Sequence, residues 1–208
     1  MTFEGFRPTD FDTFYIEGLE GRMEAIRERI QPKFKAIGDA LCSEIAILAG
    51  NDMHVHIAKH ARRKTNAPKD TWMAFCHNKK GYKQHPHFQI GLFDDHVFIW
   101  LALIYELPNK IKIADTYLSK LKKVRSSIPD HYVLSMDHMK KEAAIIGNFK
   151  QKQFQEAVER FRDVKSAELL IGRHLKADDP VLQDGDAFLL TAKETIETLM
   201  PLYRLAMQ

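Results

Sequence analysis

The sequence predicts an α+β fold: a mainly antiparallel sheet of about six strands, with helices packed mostly on one face. Three observations carry this reading. Apolar residues recur at helical spacing from Leu19 to Leu48. Four short segments between Met53 and Glu106 are rich in aromatic and β-branched residues. The connections between those four are short, and parallel neighbours need a crossover of a dozen or more residues.

The first element is the apolar stripe Leu19, Met23, Ile26, Ile30, Phe34, Ile37, Leu41, Ile45 and Leu48. Spacings of three and four put all nine residues on one side of a helix. Pro32 falls inside the stripe, and an interior proline costs roughly 3 kcal/mol. The spacing therefore predicts either a kink or two consecutive helices sharing a core-facing side. Gly50-Asn51 closes the run as a helix stop.

The next four elements are predicted strands: Met53–Ala58, Asp70–Cys76, His87–Phe93 and His96–Glu106. Turn signals separate them at Asn66-Ala67-Pro68 and Asn78–Gly81, and Asp94-Asp95 reads as a tight hairpin turn. In the third strand Phe88, Ile90 and Leu92 alternate with His87, Gln89 and Gly91, so one face is apolar and the other partly polar. After Pro108 the pattern mixes. Ile113–Val124 reads as a helix, and Tyr132–Met136 as a strand. Phe154, Val158 and Phe161 mark another helix, and Glu168–His174 another strand. Leu189, Ala192, Ile196, Leu199 and Tyr203 mark a last helix, bent or ended by Pro201. No linker or repeat divides the chain, so residues 1–208 read as one domain. It has a helical part over 9–50, a sheet-rich centre over 53–106 and a mixed part over 110–208.

Composition narrows the class. The 208 residues are 45% hydrophobic and 28% charged, which is ordinary for a soluble globular chain. The longest apolar run, Val97–Tyr105, is nine residues. A membrane-spanning helix needs about 20. The N-terminal stretch MTFEGFRPTDFDTF is polar and acidic and lacks the pattern of a secretory leader. Cys42 and Cys76 form no ligand spacing and read as buried thiols in a reducing compartment. A cytoplasmic protein is expected, with no membrane contact.

Several motifs carry a resemblance: AKHARR (58–63), DTWMAF (70–75), GYK (81–83), PHFQIGL (86–92) and HVFIWLALIYE (96–106). On these the chain resembles the YktB-like family of uncharacterised bacterial proteins, over nearly its whole length. The resemblance implies a cytoplasmic single-domain α+β protein whose fold is similar to the catalytic domain of class II aminoacyl-tRNA synthetases and biotin ligases. Those enzymes hold an acyl-adenylate with a glycine- and arginine-rich loop. No GRGR run and no GxGxGxER motif occurs here. Fold alone does not license function.

Charge supplies the main functional signal. The chain carries a net +3, yet residues 59–83 hold eight basic side chains against the single acid Asp70, a segment charge of +7. The rest of the molecule is therefore net acidic. A concentrated positive patch attracts anions, and guanidinium forks suit phosphate and carboxylate. The expected ligand contacts are Lys59, Arg62, Arg63, Tyr82, Lys83 and Gln89, and the expected partner is a small phosphate- or carboxylate-bearing molecule. Nucleic acid is possible through stacking on Trp72, Phe75 and Tyr82, but +3 overall is weak for a dedicated binder.

Two other readings stay open. Glu106, at the end of a very apolar strand, and His87 are the candidates for acid–base chemistry in a histidine- and glutamate-based hydrolase or transferase. The alternative is a non-catalytic homodimer paired through strand 97–105 or the long N-terminal helix. His54 and His56, alternate residues of one strand, are the candidate metal ligands. With ten histidines in the chain, close pairs also arise by chance, so no metal site is assigned and the cofactor is unknown. Asp178, Asp179, Asp184 and Asp186 do not match a calcium loop and are expected to cap helices.

Overall fold

The computed structural model describes residues 2–208. Its centre is an open sheet of seven strands: β1 His54–Ile57, β2 Thr71–Cys76, β3 His87–Leu92, β4 His96–Leu103, β5 Val133–Ser135, β6 Ala144–Ile145 and β7 Leu169–Lys176. The order is β1-β2-β3-β4-β7-β5-β6, and every neighbouring pair is antiparallel. The fold class is α+β, as the pattern predicts. The extra strand, β6, is two residues long and too short to leave a period in the sequence. The hairpin falls on Asp94-Asp95, where Phe93 N–H donates to the His96 carbonyl.

The N-terminal stripe resolves into α2 (Leu19–Ala25) and α3 (Gln31–Ala49), following the short helix α1 (Pro8–Asp12). Between α2 and α3 the five residues Ile26–Ile30 form one widened, π-type turn. That turn places Pro32 in the first turn of α3. There a missing N–H has no partner to lose. The apolar side therefore continues through the proline: Ile26, Ile30, Phe34, Ile37, Leu41 and Ile45 are all buried. Gly50 ends α3 in the left-handed region at φ 74°, donating to Ala46 and Ile47 carbonyls.

In the C-terminal half the predicted 113–124 helix is two, α4 (Lys110–Ser119) and α5 (Leu121–Ser126). Helices α6 (Gln151–Asp163) and α7 (Gly185–Ala206) follow, with Pro201 accommodated inside α7. Two of the aspartates do cap: Asp179 accepts from Val181 N–H, and Asp184 from Ala187 N–H, both at 3.0 Å. Lys110 on α4 is buried and donates to the carbonyls of Val164, Lys165 and Ala167, tying off the end of α6. No helix among the described residues is long and apolar enough to cross a membrane.

Helices α3 and α7 cover one face of the sheet, and α6 packs at β7. On that face Met73, Phe75, Phe88, Ile90, Ile99 and Leu101 join an apolar cluster that runs from Phe3 to Ala206. The N-terminal stretch belongs to it, contrary to its polar reading: Phe3, Phe6, Phe11 and Phe14 are buried, and Phe6 meets Phe188 edge-on with centroids 5.2 Å apart.

The opposite face carries a separate cluster of Trp72, Phe93, Phe98, Trp100, Ala102, Ile104 and Leu170, with Tyr82 packed against it. Two glycines make room there. A Cβ on Gly91 would strike the Phe98 ring and come within 2.7 Å of the Trp72 Cβ. One on Gly172 would strike the Ile99 carbonyl oxygen and approach the Trp100 Cα to 2.5 Å. Large rings can therefore lie across the strands. Segments 58–70, 77–86 and 136–143 contribute the residues that contact this face, and the functional groups gather among them.

Candidate functional site

The two arms of the +7 segment are the loops before and after β2. A straight seven-residue strand spans roughly 20 Å, so the arms meet only if the loops bend back. They do. A cleft of about 660 Å³ is lined by Lys59 from the first loop and by Lys80, Tyr82, Lys83 and His85 from the second. His56 of β1, Asn78, Gln84 and Glu106 add further polar lining. Three ammonium groups thus face one carboxylate.

Tyr82 anchors the second loop. Its hydroxyl accepts a 2.9 Å hydrogen bond from Trp72 Nε1, and its ring packs between His56 and His87 at centroid distances of 5.4 and 4.9 Å. Burial pushes the Tyr82 hydroxyl pKa up. Asn78 shapes the turn, its Oδ1 accepting from Lys80 N–H at 2.8 Å. Lys83 meets Glu106 Oε1 at 3.2 Å, with both side chains partly exposed. Such a pair contributes about 0–1 kcal/mol, so a ligand can recruit Lys83 at little cost.

The other expected ligand residues fall elsewhere. Arg62 is exposed, and Arg63 donates to the Asn66 carbonyl at 3.4 Å. Neither lines the cleft. Gln89 is 2% exposed, and its amide oxygen and nitrogen are each hydrogen-bonded. Trp100 Nε1–H donates to Gln89 Oε1, Gln89 Nε2–H donates to His87 Nε2, and His87 Nδ1–H donates to the His85 carbonyl. This chain fixes His87 as a neutral ring, and burial lowers its pKa to about 3. Both ring nitrogens of His87 are engaged, and neither His87 nor Gln89 lines the cleft.

The histidines divide similarly. His54 and His56 share a face of β1, and His56 Nε2 pairs with the Asn78 carbonyl at 2.9 Å. β1 ends at Ile57, and His60 sits beyond it in the left-handed region at φ 49°, its Nε2 3.0 Å from Thr71 Oγ1. Burial, with Arg63 nearby, lowers its pKa to about 4.

A second group of side chains lies under segment 136–143. Its members are Asp70, just before β2, Glu168, just before β7, and His138. Glu168 is 3% exposed in its side chain. It accepts from His138 N–H at 2.7 Å and from His138 Nδ1–H at 2.8 Å. The His138 ring meets Trp72 edge-on at 6.0 Å. Burial works against the charge on His138, but Glu168 and then Asp70 hold its pKa above the ordinary imidazole value. Asp70 is 1% exposed, and neither of its carboxylate oxygens has a hydrogen-bond partner. Burial raises its pKa to about 6, against the opposing pull of His138 and Arg63. In the sequence Asp70 and Glu168 look like the polar first residues of apolar strands. His138 has no neighbouring pattern at all.

Comparison with known proteins places the chain. A family model described as "Domain of unknown function (DUF1054)" matches residues 6–203. The chain belongs to this family. The chain is similar to the UPF0637 protein OB1420 of Oceanobacillus iheyensis, at 52% identity over 97% of this chain and 96% of that one. UPF0637 protein ABC2405 of Shouchella clausii is similar at 51% identity over 100% and 97%. UPF0637 protein lmo1065 of Listeria monocytogenes is similar at 45% over the full length of both. A bacterial family whose name states no chemistry is what the sequence motifs imply. For DUF1054, the site geometry must carry the functional argument.

Proposed function

We propose that this DUF1054 protein is a cytoplasmic binding protein for a small anionic molecule bearing phosphate or carboxylate groups. The observation that carries the reading is the convergence of Lys59, Lys80 and Lys83 on one cleft beside Tyr82. The lysines supply ammonium donors without a fixed geometry, which suits a phosphate or carboxylate as a point charge. Tyr82 and His85 supply the flat, partly apolar wall that ligand sites combine with such charges. Arg62 and Arg63 extend the positive field outward along the same loop and steer an anion toward the cleft. Two free cysteines fit a reducing cytoplasm. A cleft bounded by two loops suits a small molecule better than a polymer, whose track needs a continuous basic groove.

Calorimetric titration with inorganic phosphate, pyrophosphate and citrate tests the reading. At least one should bind, more weakly as salt rises. The Lys59→Ala, Lys83→Ala double variant should bind it at least tenfold more weakly, because each ammonium hydrogen bond contributes about 1 kcal/mol. Equal affinity in the double variant would move the ligand away from the cleft.

A further inference from the structure

A second site lies outside the lysine cleft. Asp137, His138 and Glu168 each place one ligand-type atom within 4.8 Å of the other two. Donors that share one cation at 2.0–2.2 Å stand about 3 to 4.4 Å apart, so the three are close to the spacing of a coordination shell. They also come from a well-supported local structure. Asp137 and His138 sit in the turn that leaves β5, where Asp137 Oδ1 accepts from Met139 N–H at 2.9 Å and Ser135 Oγ donates to the Asp137 carbonyl at 3.2 Å. Glu168 is fixed by the His138 backbone N–H and by Tyr105 N–H.

The second observation is independent of the cluster. Asp70 lies two residues before Trp72, whose ring meets the His138 ring at 6.0 Å. It is 1% exposed, and both oxygens lack a partner. Buried carboxylates are paired or hold a metal. Asp70, Asp137 and Glu168 are three acidic side chains around one imidazole. Lys140 pairs with Asp137 at 3.7 Å on the solvent side, and the fields of Arg63 and Lys83 also reach Asp70 and His138. Of the three clustered donors, Asp137 borders a depression of about 420 Å³, together with Ser135, Lys140, Glu142 and Arg160, while His138 and Glu168 lie behind it.

We propose that Asp137, His138 Nδ1 and Glu168 bind a divalent transition-metal cation of the zinc or manganese type, with Asp70 as an outer carboxylate. One imidazole and carboxylate oxygens form the mixed donor set that such ions accept, whereas calcium favours oxygen alone. The hydrogen bond from His138 Nδ1–H to Glu168 puts a proton between the two donors. In the imidazolium form, binding breaks that N–H bond and the proton leaves to solvent while Nε2 keeps its own; in the neutral form the proton moves to Nε2 instead, and in both the freed Nδ1 lone pair and the carboxylate turn to the cation. The trade releases between zero and one proton per ion.

The test uses the full-length protein, stripped with a chelator and dialysed, then titrated with zinc chloride and with manganese chloride by calorimetry in two buffers of different ionisation enthalpy. Elemental analysis after gel filtration gives the stoichiometry. One equivalent is expected, with no more than one proton released. His138→Gln and Asp137→Asn should each weaken binding at least tenfold. Asp137 is half-exposed, so Asp137→Asn keeps the fold even where His138→Gln unsettles Glu168, and circular dichroism verifies both. Lys59→Ala, in the other cleft, should bind the cation as the parent does. Absence of stoichiometric binding of either ion, or undiminished binding in Asp137→Asn or in His138→Gln, overturns the proposal.

Discussion

At the scale of single residues, polar groups behind the sheet decide more than apolar ones. Gln89 satisfies the Trp100 indole N–H and the His87 ring nitrogen at once. Replacing it by leucine keeps the volume but strands two buried polar atoms, at about 1–3 kcal/mol each. Gln89→Leu should therefore lower the unfolding free energy by about 2–6 kcal/mol, read from urea denaturation, and should alter the near-ultraviolet signal of Trp100. A decrease below about 1 kcal/mol would mean the chain of hydrogen bonds is not intact. The sequence shows these residues as a polar face of β3, which is correct, but alternation cannot tell a ligand-binding amide from one already used up. That distinction depends on Trp100, eleven residues away on the next strand. The same limit hides His138. Its partners Glu168 and Asp70 are 30 and 68 residues distant, and no local spacing joins them. That Lys59 and Lys83 line one cleft is foreshadowed by the clustering of charge, which survives in one dimension.

At the scale of elements, the legible part is periodicity and the illegible part is what lies across it. The α3 stripe, the four central strands and the Asp94-Asp95 hairpin follow from local pattern. So does the direction of pairing, because short connections leave no alternative. The widened turn at Ile26–Ile30 resolves the Pro32 problem in a way spacing does not reveal: one extra residue per turn moves the proline to a helix start. The two glycines of the second face are equally silent in sequence, yet they set how closely the aromatic rings approach the strands. Gly172 faces the backbone of β4 itself, which cannot retreat without breaking the ladder. Gly172→Ala should therefore cost more than about 3 kcal/mol, in the range of severe core lesions. Thermal unfolding checks this. A variant melting within about a degree of the parent would show that β4 and β7 can separate.

At the scale of the whole molecule, charge and protonation are distributed unevenly. The helical face is apolar, while the loop-covered face holds most of the histidines. Burial lowers His87 and His174 to about 3 and His60 to about 4. Unfolded imidazoles titrate near 6.5, so below that pH the unfolded chain binds more protons than the folded one, and stability falls as pH falls. Asp70 acts in the opposite sense. Its folded value of about 6 lies above that of an ordinary aspartate, so between about pH 4 and 6 the folded state holds its proton better. It offsets about one histidine. The remaining two give a decrease of roughly 3 kcal/mol per pH unit between about pH 6 and 4. Urea midpoints at pH 7 and pH 5 should differ accordingly, and a flat profile would mean these rings are hydrated. The order of the sheet has its own consequence. Its two outer strands are β1, four residues long, and β6, only two. Edges that short present few free backbone groups, so a second molecule cannot extend the ladder far. The most apolar strand, β4, is flanked on both sides by β3 and β7, out of reach of fibril growth as long as the fold holds.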